Sequence, residues 1–147
     1  MARILKVLSA GIFLTLAACA APPKLTPQEM AEAQTPIACS TKAECDLYWQ
    51  KAQIWLVNNS SYRVQSATDT VISTYGPING QPNFAFTITK LPNGNGGALI
   101  TLQGACGNMF GCIPPLEGFV LSFRRYVVGE NLGYNLRTNS DPSPMAK

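Results

Sequence analysis

The chain has 147 residues, 13% of them charged and 46% hydrophobic, a formal net charge of +3, and no histidine. Its length fits one domain of ordinary size. The missing histidine excludes Ser-His-Asp and Cys-His nucleophilic catalysis in their usual form, and histidine-ligated zinc.

Reading from the start, "MARILK" brings Arg3 and Lys6 ahead of the largely apolar run "VLSAGIFLTL" (7–16) and the small residues Ala17 and Ala18. A charged head, an apolar run of about ten residues and a small-residue exit form a secretory signal. A membrane span needs about 20 apolar residues, so this run is too short to remain in the bilayer. Leu16-Ala17-Ala18-Cys19 resembles the lipobox of bacterial lipoproteins. That resemblance implies that residues 1–18 are removed, that diacylglycerol is attached to the Cys19 thiol, and that the new amine is acylated. Three chains on Cys19 would hold the protein permanently, since two anchoring signals already suffice for stable attachment. Ala20 follows where an acidic residue would stand in inner-membrane lipoproteins. The expected address is the periplasmic face of the outer membrane, with the inner membrane as the alternative.

Without Arg3 and Lys6, nine of the 11 basic residues remain against eight acidic ones. This near-neutral balance offers no case for nucleic acid or anionic substrates. Residues 20–38, "AAPPKLTPQEMAEAQTPIA", are proline-rich and small or polar, and read as a tether. Thr26-Pro27-Gln28-Glu29 has the form of a helix start, but no apolar face of useful length follows it.

The globular part is expected over residues 39–129. Thr41 and Glu44 form a capping pair, and Cys45, Tyr48, Trp49, Ala52, Trp55 and Leu56 recur at helical spacing. Asn58-Asn59-Ser60 is the expected stop. Both tryptophans fall on the buried face, as core anchors. Strand character follows at 62–67, 70–75, 84–90 and 98–104, with "LPNGNGG" a turn signal between the last two. Pro114-Pro115 suits a helix's first turn. Leu116, Phe119, Val120, Phe123 and Val127 give its stripe, and Gly129 fits its end. Residues 130–147 read as a loose tail. The expected fold is therefore an α+β two-layer sandwich, α-β-β-β-β-α: a four-stranded antiparallel sheet in sequence order with two helices on one face.

With Cys19 assigned to lipid, four cysteines remain. Their even number in an exported chain points to disulfides, and their spacing does not match the usual zinc-ligand pattern. If the first helix runs upward, Cys45 lies at the bottom of the sandwich and Cys106, after the fourth strand, at the top. That separation exceeds the roughly 7 Å a bridge tolerates. Local pairs are expected, Cys39–Cys45 and Cys106–Cys112, structural rather than redox-active because neither has C-x-x-C spacing. No metal or cofactor is expected.

"CSTKAECDLYW" and "CGNMFGC" resemble segments of small uncharacterised lipoproteins of proteobacteria, a likeness that carries no catalytic residue with it. Three functional readings remain. The first is a binding or scaffolding module for an envelope protein, presenting Arg63, Gln65, Thr87, Thr89, Thr101 and Gln103 on the open sheet face. The second is a small-ligand carrier with Tyr48, Trp55, Phe84 and Phe123 around a pocket between helices and sheet. The third is a cell-wall hydrolase using two of Asp46, Asp69, Glu117 and Glu130, whose spacing suggests no pair. A non-enzymatic role is the expectation.

Overall fold

The computed structural model describes residues 24–129. Among them are three helices and five strands: α1 (Pro27–Gln34), β1 (Ile37–Cys39), α2 (Lys42–Asn59), β2 (Val64–Ala67), β3 (Val71–Thr74), β4 (Ala85–Pro92), β5 (Ala98–Ala105) and α3 (Leu116–Val128). The strands form one open antiparallel sheet in the order β1-β5-β4-β3-β2. This corrects the expected two helices and four strands. The extra helix, and the extra strand up to its last residue Cys39, come from the stretch read as a tether.

The physical reason lies in what α1 packs against. Its start is the capping box that Thr26 and Glu29 announce: the Thr26 hydroxyl accepts from Glu29 N–H, and Glu29 takes the Thr26 N–H in return, with Pro27 opening the first turn. A helix this short does not hold itself in water. It is held by α3, against which it packs. Arg125 presents Nε and Nη2 to the two oxygens of Glu32 at 3.1 and 2.8 Å, and its Nη1 lies 3.6 Å from Glu29. Arg124 Nη1 meanwhile donates to the carbonyls of Thr35 and Pro36 at 2.8 and 3.1 Å. The chain then enters β1, which pairs its three residues with Ile100, Leu99 and Ala98 of β5.

The other elements follow the sequence closely. α2 buries Cys45, Trp49, Ala52, Trp55 and Leu56 and ends at Asn59. α3 ends at Gly129, whose φ of 96° gives the left-handed stop. The four expected strands pair in sequence order, with Phe86, Ile88, Ile100 and Leu102 turned toward the helices. β2 departs from simple alternation. A bulge between Val64 and Ser66 shifts its register, and all four of its residues are exposed.

Both disulfides are the expected local pairs, Cys39–Cys45 and Cys106–Cys112, with Cα atoms 5.2 and 5.9 Å apart. Each closes a short loop and contributes about 2 kcal/mol in the chain-entropy model. The first ties β1 to the start of α2; the second fixes the loop between β5 and α3.

Candidate functional site

A buried aromatic cluster lies where α2 and α3 meet the sheet. α2 supplies Trp55, α3 supplies Phe119 and Phe123, and the entry to β4 supplies Phe84 and Phe86. The Trp55 ring meets Phe123 and Phe86 edge-on at centroid distances of 5.2 and 5.8 Å, and Phe119 bridges Phe86 and Phe84 at 5.1 and 5.6 Å. Such edge-to-face pairs add to simple area burial. The indole N–H donates to the Ser122 hydroxyl at 3.3 Å, so this large ring leaves no buried donor unsatisfied. Gly104 stands opposite Phe86 on β5. A Cβ there would come within 2.6 Å of Leu116 Cδ1 and 2.9 Å of Phe84 Cδ1, so the absent side chain makes room for the rings.

The cluster is not sealed on every side. At the end of the molecule where α2 finishes and α3 begins, a cleft of about 110 Å³ opens over the rings of Phe84, Phe86 and Phe119. Asn59 and Asn83 line it together with Ser61, Ile113 and Pro114. Asn59 closes α2 by donating from Nδ2 to the Trp55 carbonyl at 2.8 Å. Its Oδ1 is buried, without a hydrogen-bond partner among the described residues. An orphaned buried acceptor costs on the order of 1–3 kcal/mol.

A second cleft, about 120 Å³, lies between α1, β1 and α3 and is lined by Ile37, Leu102, Phe123 and Arg124. There Arg124 already donates to two carbonyls, and α1 itself forms one wall. Its polar group is occupied in holding the fold, whereas the buried Oδ1 of Asn59 is left without a partner among the described residues.

The aromatic residues read from the sequence divide. Phe84 reaches the cleft; Trp55 and Phe123 stand behind its floor, inside the core. Tyr48 packs against the edge of the main core and beside Cys39, Cys45 and Ala98 near the other end of α2, away from the cleft. Burial, and then a hydrogen bond to Glu44, push its phenol above the usual range.

The open-face residues come together in part. Thr87 pairs with Gln103, and Thr89 with Thr101, on the face away from the helices; Ser73 and Val71 extend these rows on β3. Leu91 and Leu99 pair beside them, 64% and 43% exposed. Arg63 and Gln65 are exposed on the edge, where the β2 bulge sets them out of this register.

The acidic candidates are not assembled. Asp46 pairs with Lys42 at 2.6 Å, and that bond holds its carboxyl below the ordinary range. Asp69 is exposed in the β2–β3 turn, and Glu117 is exposed in the first turn of α3, at the opposite end from Asp46. Cys19 and Glu130 lie outside the described residues. Among the described residues no cluster of His, Cys, Asp or Glu suits a metal ion, and no helix is long and apolar enough to cross a membrane.

Sequence reading missed Asn59 and Asn83. Asn59 was legible only as a helix stop, and Asn83 only as part of a polar loop before Phe84. Comparisons with protein-family models, curated proteins and solved structures return no match.

Proposed function

We propose that this protein is a lipid-anchored binding protein of the bacterial envelope that takes a small, partly apolar group into the cleft between α2, α3 and β4. The observation that carries the reading is the unpartnered Oδ1 of Asn59 beside the phenylalanine floor. Apolar rings along the cleft and a buried, unpartnered amide oxygen on one of its lining residues suit a group with a single N–H or O–H donor and a short aliphatic or planar body. The space is smaller than the ~150 Å³ cavity that admits benzene and well below drug-sized pockets of about 300 Å³ and more. A short acyl or amide portion of a larger ligand would enter, with the remainder outside.

Trp55 touches both Phe86 and Phe119, so its fluorescence reports on the cleft. Titration with a muropeptide and with a short-chain phospholipid is expected to give a saturable change with one of them. Loss of that change in Asn59→Leu would locate it; no saturable change with either probe overturns the cleft reading. The anchor is tested separately, by mass spectrometry of the envelope-purified protein. A first residue Cys19 carrying a diacylglyceryl and an acyl group is expected, and an unmodified first residue elsewhere removes the membrane address.

A second reading has its own observation. Exposed Leu91 and Leu99 continue the Thr87–Gln103 and Thr89–Thr101 rows into a mixed polar and apolar face, which would suit an envelope protein partner. Crosslinking in intact cells through residue 91 or 99 tests it. A specific partner is expected, and its absence leaves the face simply solvated.

A further inference from the structure

The loop between β5 and α3 presents two large apolar side chains almost wholly to solvent: Met109 is 90% exposed and Phe110 92%. This is not a slack segment. Cys106–Cys112 closes it. Asn108 Oδ1 accepts from Phe110 N–H at 3.0 Å, and Asn108 O accepts from Gly111 N–H at 3.2 Å. The loop 75–84 braces it from the side, through Gly80 N–H to Gly107 O at 2.9 Å and Ile113 N–H to Pro82 O at 3.2 Å. Gly107 permits that approach, because a Cβ there would meet the Ile78 carbonyl oxygen at 2.2 Å. Ile78 and Ile113, both exposed, flank the tip. The protein thus holds a pre-ordered apolar point away from its core, where it gains nothing from folding.

Charge decides what such a point fits. Between Arg63 and Glu117 the chain carries only two charged residues, Asp69 and Lys90. Both lie at the far end of the sheet: Lys90 stacks on Trp49, and Asp69 is close enough to Lys42, at the start of α2, to act on it. The two loops that build the tip hold no charge. A charged rim would have to be desolvated on entering an apolar phase; the nearest charges along the chain, Arg63 at the base of the 75–84 loop and Glu117 in the first turn of α3, stand behind the tip's own loops rather than within them.

We infer that the Met109–Phe110 tip inserts into the interfacial layer of a lipid bilayer, with Ile78 and Ile113 following at the rim. Because the two loops that build the tip hold no basic residue, insertion needs no anionic lipid. Its driving force is the apolar area of two side chains removed from water. The inference rests on the loop's geometry and on the charge map; Ile113 also lines the Asn59 cleft, so its test varies only Met109 and Phe110, which do not.

The test uses residues 19–147 with Cys19→Ser, so that no acyl chain contributes, and vesicles of phosphatidylcholine. The described fold is built wholly within this span. Cosedimentation with vesicles is expected, changing less than about twofold between low and high salt, since exposed-charge attraction alone is screened. The double variant Met109→Ser/Phe110→Ser is expected to lower the partition coefficient by about tenfold or more. Both side chains lie outside the core, so near-ultraviolet circular dichroism of the variant should match the parent. In a Phe110→Trp variant, brominated phosphatidylcholine should quench the added emission and leave the buried tryptophans unaffected. Three results overturn the inference. One is an equal partition for parent and double variant. Another is binding that requires anionic lipid and disappears at high salt. The third is lipid-free self-association abolished by the same double variant, which would assign the tip to a protein contact.

Discussion

Arg125 and Glu32 join α3 to α1 by a two-toothed contact, Nε and Nη2 of the guanidinium on the two carboxylate oxygens at 3.1 and 2.8 Å. Both side chains are less than one-third exposed, and parallel N–H···O pairs of this kind are among the stronger ion contacts. Leu121 sits one turn before Arg125 on the same flank of α3 and is buried. Arg125→Ala is expected to destabilise the protein by about 1–3 kcal/mol. Hydrogen exchange should show α1 amides losing protection while α2 and β4 keep theirs. Glu32→Gln should do less, because Arg125 retains Glu29. Equal loss of protection throughout the chain would show that α1 is not separately latched.

Acid should loosen the same end first. The Glu29 carboxyl is held below its ordinary value by the Thr26 N–H and hydroxyl, with Arg125 adding to them. Glu44 is lowered by the Ser40 N–H and Tyr48, and Asp46 by Lys42. A depressed folded-state pKa contributes stability that is present above the unfolded value and lost as pH falls through the folded one. Here the unfolded values are 4.5 for the two glutamates and 3.8 for the aspartate. Melting temperature should therefore be insensitive to these groups near neutrality and fall below about pH 4.5. The Glu29→Gln variant should show a shallower fall. An unchanged acid limb in that variant would remove Glu29 from the account.

Gly104 tests how tightly the aromatic cluster is fitted. Its inner-face neighbours, Phe84 and Leu116, leave no space for a methyl group. Gly104→Ala should cost about 1–3 kcal/mol by overpacking, and it should shift Trp55 emission because Phe86 lies between them. Melting curves and fluorescence check both parts. A stabilised Gly104→Ala would mean that the rings have slack.

What could be read in advance, and what could not, follows from where each signal resides. The stripes of α2 and α3 and the alternation of β4 and β5 are local patterns of apolar residues, and the structure keeps them. The local disulfides followed from the direction of those same elements. α1 was written as a start signal without an apolar face; its stability comes from Arg125, far along the chain, and no window over residues 27–34 contains that residue. β1 has three residues, too few for alternation to show. The β2 bulge turns on one unpaired position, Gln65, within a run that otherwise alternates. Asn59 was masked by its own propensity: a residue that ends helices well needs no other reason to stand there.

Asn59 therefore offers a sharp separation between stability and binding. Its Nδ2 bond to the Trp55 carbonyl contributes about 1 kcal/mol, and its orphaned Oδ1 costs on the order of 1–3 kcal/mol. Asn59→Leu removes both and adds apolar contact with the phenylalanine floor. The expected result is a protein as stable as the parent or more so, by up to about 2 kcal/mol. Chemical denaturation would measure this. A site kept for binding predicts that the gain in stability comes with loss of the ligand-dependent Trp55 signal, as when a polar group is held unsatisfied for a partner. A residue that only ends α2 predicts the same change in stability with no change in any ligand response. Because the orphaned Oδ1 costs stability whether or not a ligand binds, the ligand response of this one variant, read beside its denaturation curve, decides between them.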